Sequence, residues 1–406
     1  MNVCGVIAEY DPFHKGHERH LRLAREQTGA DFIVCVMSGS FTQRGLPALL
    51  PAHARAEMAL RCGADIVLQL PYAFSVREAE YFALGGVRIL NALGCVTHLS
   101  FGCETENLSL LQAAARLLET PDEALNEAIQ AALQKGASYA VAQGQAVAKQ
   151  LGIPASFLNA PNTALALSYL RALIKLNSPI LPVPILRTSD YHAGELAALP
   201  SASAVRSALL RGDWAGVRNA VPEAAFPVLE KAVREGFCLP DGLDVLLRHK
   251  LLFSTPKEIA RWPGISEGLE MRILKAAETT VTREALIDAV KTRRYTRGRI
   301  SRALCHGVMG VTKADLPELP VSARILGFRE NARPLLQQMQ KHTQKSGFSL
   351  YARPAKEETA LLDCRADDLW RVAAGLPRGE TYRQQPVIVA LPGREGNAFT
   401  PSKLET

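Results

Sequence analysis

Two histidines three residues apart carry the strongest chemical signal in the sequence. His14 and His17 belong to the segment His-Lys-Gly-His, which comes after an apolar run and after Pro12. The pattern predicts a strand over residues 3–8 and a helix over residues 16–27, so that the pair lies at a helix N-terminus. Free backbone N–H groups and the helix dipole attract an anion there, and two imidazoles on one face can donate to phosphate oxygens. The segment therefore predicts a phosphate site.

Gly16, between the histidines, is interpreted as the point where a ribose or a base can approach the backbone, since no Cβ stands in the way. The histidines could instead be ordinary surface residues or an i, i+3 metal pair. Metal ligation lacks a cysteine or a carboxylate at a suitable spacing near them. The eight cysteines of the chain form no CxxC or CxxH pattern, which argues against zinc and is typical of buried thiols in a reducing cytosol. No metal ligands are predicted.

The first half of the chain alternates short apolar, β-branched segments with helical patterns. Strands are predicted over 3–8, 31–37, 66–70, 96–101 and 180–186, and helices over 16–27, 51–62, 79–93, 107–135 and 164–175. Strands separated by helices of this length indicate βαβ units. The predicted fold class is therefore α/β, with a Rossmann-like doubly wound parallel sheet. Ligands of such sheets lie outside the carboxyl ends of the strands.

Composition and charge describe the chain as a whole. With 48% hydrophobic and 21% charged residues over 406 positions, the sequence has enough apolar material for a real core. It has no signal peptide and no apolar segment long enough for a membrane span, so a cytoplasmic protein without membrane attachment is expected. The net charge is −1 over residues 1–210 and +8 over residues 211–406. One half handling a polyanion would give this asymmetry, and so would an ordinary basic surface.

Three regions follow from these patterns. Residues 1–210 are predicted to form the sheet domain, and residues 211–345 a basic, mostly α-helical domain in which prolines mark the ends of short helices. Residues 346–406 are predicted to form a small irregular segment with one strand at 387–391.

The most basic stretch lies between Asp288 and Asp315, where no acidic residue occurs. Its seven cations are Lys291, Arg293, Arg294, Arg297, Arg299, Arg302 and Lys313. Helical spacing predicts that Lys291, Arg294 and Arg302 share one face, and an aromatic residue among them, Tyr295, could stack on an unpaired base. A solvated surface is the alternative, but cations without nearby carboxylates favour contact with nucleic-acid phosphates.

Several segments together resemble the bacterial tRNA(Met) cytidine acetate ligases, a family within the HIGH nucleotidyltransferase superfamily. The similar segments are Gly5–His17, Met37–Gly45, 79–83, Ser100–Glu104, Pro161–Thr163 and 291–297. The sequence also departs from the family: Asp11, Ser40 and Thr163 stand where asparagine is usual, and Leu186 stands where lysine is frequent. The resemblance extends over most of residues 1–330.

The resemblance implies an ATP-dependent ligase. Such an enzyme joins acetate to ATP, releases pyrophosphate and holds acetyl-adenylate, and Mg²⁺ is expected alongside ATP. It then transfers the acetyl group to the exocyclic amine of the wobble cytidine in elongator tRNA(Met), which gives N(4)-acetylcytidine. No obligate protein partner is implied. Two alternatives stay open: a small-molecule nucleotidyltransferase with the same histidine site, and a non-catalytic RNA-binding protein, against which the intact His14, His17 and Arg206 argue.

The resemblance also implies roles for individual residues. The catalytic residues are His14, His17 and Arg206, the last of which ends a serine-rich segment that clamps the departing phosphates. The ATP-binding residues are Ile7, Ala8, Glu9, Tyr10, Asp11, Pro12, Phe13, His14, Lys15, Gly16, His17, His20, Gly102, Asn162, Arg187 and Ser203. The tRNA-binding residues are Lys291, Arg293, Arg294, Arg297 and Arg299.

Four of these positions also have simpler interpretations. Gly102 follows the predicted strand 96–101, where a missing side chain suits contact with adenine, but it could be only a turn glycine. Asn162 and Ser203 could be only helix caps. Arg187 could hold a phosphate bidentately or belong to a surface ion pair.

Gln43 and Arg44 follow the second predicted strand. A small carboxylate could be held by them near the α-phosphate of a nucleotide. The reaction needs no covalent enzyme intermediate, because positioning and charge stabilisation are sufficient for attack on the phosphorus.

Overall fold

The computed structural model describes residues 1–136, 139–187, 200–353, 358–379 and 384–390. The strands are β1 (Val3–Ala8), β2 (Phe32–Ser38), β3 (Ile66–Leu70), β4 (His98–Cys103), β5 (Leu181–Leu186), β6 (Ser322–Arg329), β7 (Ser349–Tyr351) and β8 (Val387–Val389). The helices are α1 (Lys15–Thr28), α2 (Ala52–Arg61), α3 (Tyr72–Ser75), α4 (Ala79–Ala92), α5 (Leu108–Glu119), α6 (Glu123–Gln134), α7 (Tyr139–Leu151), α8 (Ala155–Asn159), α9 (Pro161–Lys175), α10 (Ala202–Leu210), α11 (Trp214–Ala220), α12 (Phe226–Glu235), α13 (Asp244–Leu252), α14 (Pro256–Ile259), α15 (Leu269–Ala277), α16 (Arg283–Val290), α17 (Arg297–Met309), α18 (Arg333–Ser346) and α19 (Glu358–Ala373). Within these described ranges, no helix has both the length and the apolar character to cross a membrane.

One sheet organises the chain, in the order β5-β4-β1-β2-β3-β6-β7, and β8 also pairs with β6. β1 to β5 are parallel, with Gly5 of β1 opposite Val34 of β2 on one side and Leu99 of β4 on the other. β6 runs antiparallel to β3. The strand order reverses at β1, so the crevice at its carboxyl end is the expected ligand position in a doubly wound sheet. The predicted α/β fold class is confirmed.

Helices cover both faces of this sheet. Successive residues of a strand point to opposite faces, so Val34 packs in the core formed with α4, α5 and α9, whereas Ile33 packs in the core formed with α1, α2 and α12. A close approach holds α4 against β1: a Cβ placed on Gly86 would lie 2.6 Å from Ile7 Cδ1. The glycine pair inside this helix therefore serves packing.

The helical half has its own core and rests on the sheet half. Helices α13, α15, α16 and α17 bury a cluster that includes Leu247, Ile273 and Ile300. The buried guanidinium of Arg283 donates to the backbone oxygen of Gly45 at 3.0 Å. The loop that follows β2 is thus a direct contact between the two halves.

The predicted helix over 107–135 is wrong as a single element. It is two helices, α5 and α6, because Pro121 cannot continue a helix and Asp122 begins a new one. The side chain of Asp122 accepts a hydrogen bond from the backbone N–H of Leu125 at 2.8 Å, which is a helix N-cap.

Strand β6 was not predicted, since the region up to residue 345 was expected to be mostly helical. Seven of its eight residues, Ser322–Phe328, are buried, so the segment lacks the alternation that marks a half-exposed strand. It completes the sheet next to β3. The proposed division of the chain at residues 210 and 345 stays a prediction, and this pairing crosses it.

The prediction of an irregular segment over 346–406 is wrong for its described part. β7 pairs with β6, and α19 is a helix of 16 residues. Trp370 Nε1 donates to the backbone oxygen of Ala48 at 2.5 Å, and Asp363 accepts from the backbone N–H of Tyr72 at 2.6 Å. The buried aspartates of this helix interrupt the stripe of apolar residues that identifies an amphipathic helix in a sequence, so the helix was not predicted.

The strand predicted at 387–391 is present as β8, Val387–Val389. Leu391 lies outside the described residues. β8 pairs in parallel with β6, from Gly327 to Arg329.

We expect His53 of α2 to make the fold acid-sensitive. It is 2% exposed, neither ring nitrogen has a partner among the described residues, and burial together with Arg324 and Arg55 lowers its pKa to about 3. Above pH 6.5 the side chain is neutral in both states. Below that pH only the unfolded chain gains the proton, so stability is lost as the pH falls towards 3.

Relative to His53→Leu, the parent should lose up to about 1.4 kcal/mol of unfolding free energy per pH unit between pH 6 and 4. Urea unfolding at several pH values measures this difference. The exposed His249→Leu variant is the control, and a difference between parent and His53→Leu that does not change with pH would contradict the assignment.

Candidate active site

The connection between β1 and α1 forms the floor of the site. Tyr10 and Phe13 are buried, and the ring of His17 packs against both, with centroid distances of 4.9 and 5.5 Å. Tyr10 has a φ of 49°, a left-handed conformation that is uncommon for a bulky residue, so the backbone turns sharply as it leaves the strand. Of the predicted ATP-binding residues here, Tyr10 and Phe13 can offer a ligand their backbone but not their side chains.

His14 and His17 lie together at the N-terminus of α1. Their rings are stacked, with centroids 3.8 Å apart. His14 is the N-cap: its Nδ1 accepts from the backbone N–H of Gly16 at 3.0 Å, and Nδ1 of His17 accepts from the backbone N–H of His14 at 3.3 Å. A backbone amide can only donate, so both Nδ1 atoms are unprotonated and both Nε2 atoms carry the proton. The site therefore offers two Nε2–H donors side by side.

Both imidazoles are neutral at physiological pH. Burial lowers the pKa of His14 to about 4, with a further contribution from the nearby Arg187. Burial and the neighbouring His14 hold the pKa of His17 well below its usual range. The pair is thus built to donate neutral hydrogen bonds to an anion.

The position of Gly16 has a different reason from the predicted one. A Cβ on Gly16 would lie 2.8 Å from His14 Cε1 and 2.9 Å from His14 Nδ1. The missing side chain makes room for the imidazole that caps the helix. The absence of a side chain at this position is explained by the packing of His14 alone. Contact with a ribose or a base stays a prediction.

His20 and Arg206 complete this side of the site. His20 Nε2 is 3.1 Å from Ser100 Oγ of β4, and burial lowers the pKa of His20 to about 4. Arg206 of α10 donates to the backbone oxygen of Asp11, and its Nη1 is 3.3 Å from Asp11 Oδ2. A guanidinium from a distant part of the sequence therefore lies on the β1–α1 connection.

Ser203 is not the helix cap that one interpretation made it. Ser201 caps α10 by accepting from the backbone N–H of Ala204 at 3.1 Å. The hydroxyl of Ser203 lies 2.9 Å from that of Ser201 and is exposed.

Glu104 organises the opposite wall, at the carboxyl ends of β4 and β5. Its carboxylate accepts from the backbone N–H groups of Asn162 and Thr163, at 3.1 and 2.6 Å, in the first turn of α9. Partial burial raises the pKa of Glu104, but the hydrogen bonds from these two residues lower it on balance. The sequence alone predicts no role for Glu104, although this residue follows the strand end at which ligand contacts are expected.

Arg187 lies in this wall as well. Its Nη1 donates to Asn162 Oδ1 at 2.9 Å, and Arg187 has no ion pair with any residue that the structure describes. Asn162 is the second residue of α9 and not its N-cap, which is Ala160. Gly102 lies within β4 and not after it, and a Cβ there would be 2.9 Å from Arg187 Cδ. The glycine thus makes room for the arginine.

The loop after β2 is tied to the end of β1 by the half-buried Glu9 and the buried Arg55. Glu9 Oε1 accepts from Ser38 Oγ at 3.2 Å and from the backbone N–H of Gln43 at 2.6 Å, and burial raises the pKa of Glu9. Arg55 of α2 donates to the backbone oxygens of Glu9, Ser38, Gly39 and Leu50. The loop that carries Gln43 and Arg44 is therefore held beside the histidines.

Together these groups can bind a polyanion, and the cysteines near them cannot act as nucleophiles. Burial raises the pKa of the nearby thiols of Cys4 and Cys35 to about 11 and about 12, so neither is a reactive thiolate. Two neutral N–H donors, a helix N-terminus and two guanidinium groups surround the crevice at the end of β1. This arrangement is suited to positioning a phosphate and stabilising charge on it.

Comparison with known proteins agrees with this geometry. The model of the HIGH Nucleotidyl Transferase family matches residues 1–385. The chain belongs to this family.

Similar members of the family share nearly the whole chain. The tRNA(Met) cytidine acetate ligase of Acetivibrio thermocellus is 34% identical, over 96% of this chain and 100% of its own length. The protein of the same name from Syntrophotalea carbinolica is 36% identical, over 98% of this chain and 96% of its own. The crystal structure of Thermotoga maritima TmcAL bound with alpha-thio ATP has a TM-score of 0.87 at 31% identity and covers 96% of this chain and 100% of its own.

The nucleotidyl transferase site has little to offer a metal ion. No group of three histidine, cysteine or acidic side chains in the described ranges could hold one. Glu9 is engaged with the loop after β2, and Asp11 accepts from the backbone N–H of Leu49 at 2.6 Å. Mg²⁺ usually keeps several waters and binds through substrate phosphates, so this chain fits Mg²⁺ only as a companion of the nucleotide.

The basic stretch of this family member differs from its prediction. Lys291 pairs with Asp288, Arg294 with Glu267, and Arg297 with both Glu284 and Asp288. The expectation of charge without nearby carboxylates is therefore wrong for these three cations. Asp288 lies at the boundary of the stretch, whereas Glu267 and Glu284 are brought to it by the folding of the chain.

Two further expectations about this stretch are wrong. Residues 291–296 lie between α16 and α17, so Lys291 and Arg294 do not share a helix face with Arg302. Tyr295 is 6% exposed and donates from its hydroxyl to the backbone oxygen of Glu267 at 2.9 Å, so its ring is not free to stack on a base.

We expect Gly16→Ala to disable the nucleotide site without unfolding the protein. The new methyl group would displace His14, and with it the N-cap and the two aligned N–H donors. Affinity for ATP, measured by titration calorimetry, should fall by at least about tenfold, since hydrogen bonds to a charged group contribute roughly 1.5–3 kcal/mol each. Gly298→Ala is the matched control, because its methyl group would meet only Arg302 Nη1, at 3.4 Å. Parent-like ATP binding by Gly16→Ala would contradict the assignment.

Proposed function

We propose that this chain is an ATP-dependent tRNA(Met) cytidine acetate ligase. It activates acetate as acetyl-adenylate and transfers the acetyl group to the wobble cytidine of elongator tRNA(Met). The observation that carries the proposal is the pair of Nε2–H donors of His14 and His17 at the end of β1, in a chain that is similar along its length to proteins of that name. A tRNA substrate places the reaction in the cytoplasm, and no protein partner is required.

In the first step the chain positions ATP for attack. A carboxylate oxygen of acetate forms a bond to the α-phosphorus, and the bond from that phosphorus to the bridging oxygen breaks, which releases pyrophosphate. The Nε2–H groups of His14 and His17 donate to the phosphate oxygens as negative charge develops on them. Arg206 and Ser203 hold the departing phosphates, Arg187 binds a phosphate group of the nucleotide, and Gly102 and Asn162 lie along the nucleoside.

Acetate lies beside the loop after β2. The half-buried carboxylate of Glu9 accepts from the backbone N–H of Gln43, so Gln43 and the exposed Arg44 are presented at the carboxyl end of the sheet. Their amide and guanidinium groups can bind a small carboxylate. Mg²⁺, where it accompanies ATP, neutralises phosphate charge.

In the second step the exocyclic amine of cytidine attacks the acetyl carbon. The bond from that carbon to the adenylate oxygen breaks, AMP leaves, and the amine loses a proton. The tRNA lies against the helical half, with Lys291, Arg293, Arg294, Arg297 and Arg299 as proposed contacts. Arg293 is the most available of these, because it is exposed and has no ion pair within the described ranges.

The reaction is tested by incubating the protein with ATP, isotopically labelled acetate and tRNA(Met), followed by mass spectrometry of the tRNA nucleosides. Labelled N(4)-acetylcytidine is expected. A labelled nucleotide product formed only when a phosphorylated cofactor replaces acetate would favour a small-molecule nucleotidyltransferase instead.

The histidines are tested in the same assay by His14→Ala and His17→Ala. Loss of one preorganised donor costs about 100- to 1,000-fold in rate, so acetate-dependent exchange between ATP and pyrophosphate should fall by this factor. His249→Ala, at an exposed position of α13, is the control. Exchange within threefold of the parent in either site variant would exclude a catalytic role for that histidine.

We expect Arg293→Glu to weaken tRNA binding while leaving adenylate formation intact. Reversing this charge breaks no ion pair that the structure describes, so the local fold should persist. The log–log slope of affinity against salt should decrease by roughly 0.7 to 0.9 for one lost phosphate contact. Filter binding of tRNA(Met) at several salt concentrations measures it, and an unchanged slope would remove Arg293 from the interface.

A further inference from the structure

A cleft between the two halves of the chain brings four cations together. Its volume is about 200 Å³, and its charged lining residues are Arg77, Glu78, Arg299, Arg302 and Lys313. Arg77 and Glu78 belong to the connection between α3 and α4, which follows β3. Arg299 and Arg302 lie on α17, and Lys313 follows that helix. Four positive charges face a single carboxylate.

Neutral groups orient three of these cations. Arg77 Nη1 donates to the backbone oxygen of Pro317 at 3.0 Å, and Lys313 Nζ donates to that of Ala260 at 2.9 Å. Arg299 Nε donates to the backbone oxygen of Gly264 at 2.7 Å. Carbonyl groups fix the direction of a cation but do not neutralise it.

The fourth cation has a weak ion pair. Arg302 Nη2 is 3.5 Å from Glu78 Oε1, and the side chain of Arg302 is only 16% exposed while that of Glu78 is 53% exposed. Burial lowers the pKa of both Arg302 and Arg77. The cleft thus removes water from charged groups that the described residues do not fully compensate, and a bound anion would offset that cost.

The contrast with the neighbouring basic stretch is informative. Lys291 pairs with Asp288 and Arg297 with Glu284, both on α16. Arg294 pairs with Glu267, in the turn before α15. Arg299 and Arg302 of the cleft project from α17 on the side away from Arg297, and the cleft has one carboxylate, Glu78, for four cations. The basic stretch predicted from the sequence therefore contains three of the cleft's cations, Arg299, Arg302 and Lys313, but not Arg77.

Size and position indicate which anion the cleft would take. Pockets that enclose drug-sized ligands have volumes of roughly 300–1,000 Å³, so a cleft of this size suits a phosphate group and not a whole nucleotide. Ser301, next to Arg302, donates its hydroxyl to the backbone oxygen of Arg44. A Cβ on Gly45 would lie 2.7 Å from Arg302 Cα. The cleft is therefore adjacent to the loop assigned above to acetate.

From these observations we infer that the cleft of Arg77, Arg299, Arg302 and Lys313 binds a backbone phosphate of the RNA substrate. The inference rests on the proposed function for the identity of the RNA. One side of the cleft belongs to the sheet half and the other to the helical half, so a phosphate held there fixes the RNA relative to both. Arg77 lies outside the basic stretch predicted from the sequence, Arg302 and Lys313 belong to that stretch but not to the five residues named as tRNA contacts, and Arg299 belongs to both.

The experiment removes two charges from the cleft in the full-length protein. Arg77→Gln/Lys313→Gln removes both charges and keeps an amide N–H donor at each position. Lys231→Gln/Arg234→Gln on α12 is the matched control, because it removes two exposed cations that pair with Glu235 and Glu230. Binding of tRNA(Met) is measured as a function of salt.

The cleft variant should bind tRNA more weakly and lose roughly 0.7 to 0.9 of salt slope for each phosphate contact removed, while the control keeps the parent's slope. The conservative variant Arg77→Lys/Lys313→Arg should restore the slope. Exchange between ATP and pyrophosphate, which needs no RNA, should stay at the parent's rate in all variants. A cleft variant with the slope and affinity of the control overturns the inference.

Inorganic phosphate distinguishes a free ion from the RNA backbone. If calorimetry at constant ionic strength gave saturable phosphate binding to the parent, lost in the cleft variant, while the tRNA slope of that variant stayed parental, the RNA assignment would fall. Acetylation of tRNA by the parent reports separately on the proposed function. A parent that binds tRNA through the cleft but adds no acetyl group would refute the function and leave the cleft standing.

Discussion

Two backbone hydrogen bonds, from Gly16 to His14 Nδ1 and from His14 to His17 Nδ1, determine what the site can do. Helix N-termini usually receive a serine, threonine or aspartate oxygen at these amides, or present the amides to a ligand directly. Here the Nδ1 atoms of the two imidazoles accept hydrogen bonds from these amides. The Nε2–H group on the opposite side of each ring is then the donor that is offered to the anion. The anion is therefore met by side chains whose direction the backbone fixes, and Gly16 is constrained because no Cβ fits beside the capping ring.

This arrangement works only if the ends of the neighbouring strands keep their places. Arg55, fully buried, donates to four backbone oxygens that belong to the end of β1 and to the loop after β2. Glu9 holds the same loop by the backbone N–H of Gln43. On its outer side the loop contacts α16 through Arg283 and α17 through Ser301. The histidine floor and the helical half are thus linked by a short chain of hydrogen bonds through one loop.

Much of the fold could be predicted because its signals are local. The apolar runs of β1 to β5 and the His-Lys-Gly-His segment have strong patterns of their own, and the structure places His14, His17 and Arg206 around the same connection. β6 could not be found in this way, since it is buried on both faces and pairs with a distant strand. Whether a charge is paired also depends on residues that are distant along the sequence. Arg297 pairs with Glu284, which lies on a different helix, α16. The roles of Glu104 and Arg55 also escaped prediction, because both act on backbone groups that only the folded chain assembles.

The pairing of β6 with β3 has a consequence for the way the protein is made. About 250 residues separate Leu70, the end of β3, from Ser322, the start of β6, and a ribosome adds roughly 5–20 residues each second. For tens of seconds the nascent sheet therefore has an open edge at β3, an apolar strand whose five residues are all buried in the finished protein. Unpaired edges of this kind invite association with other chains. This edge is closed only when β6, in the last third of the chain, has been synthesised.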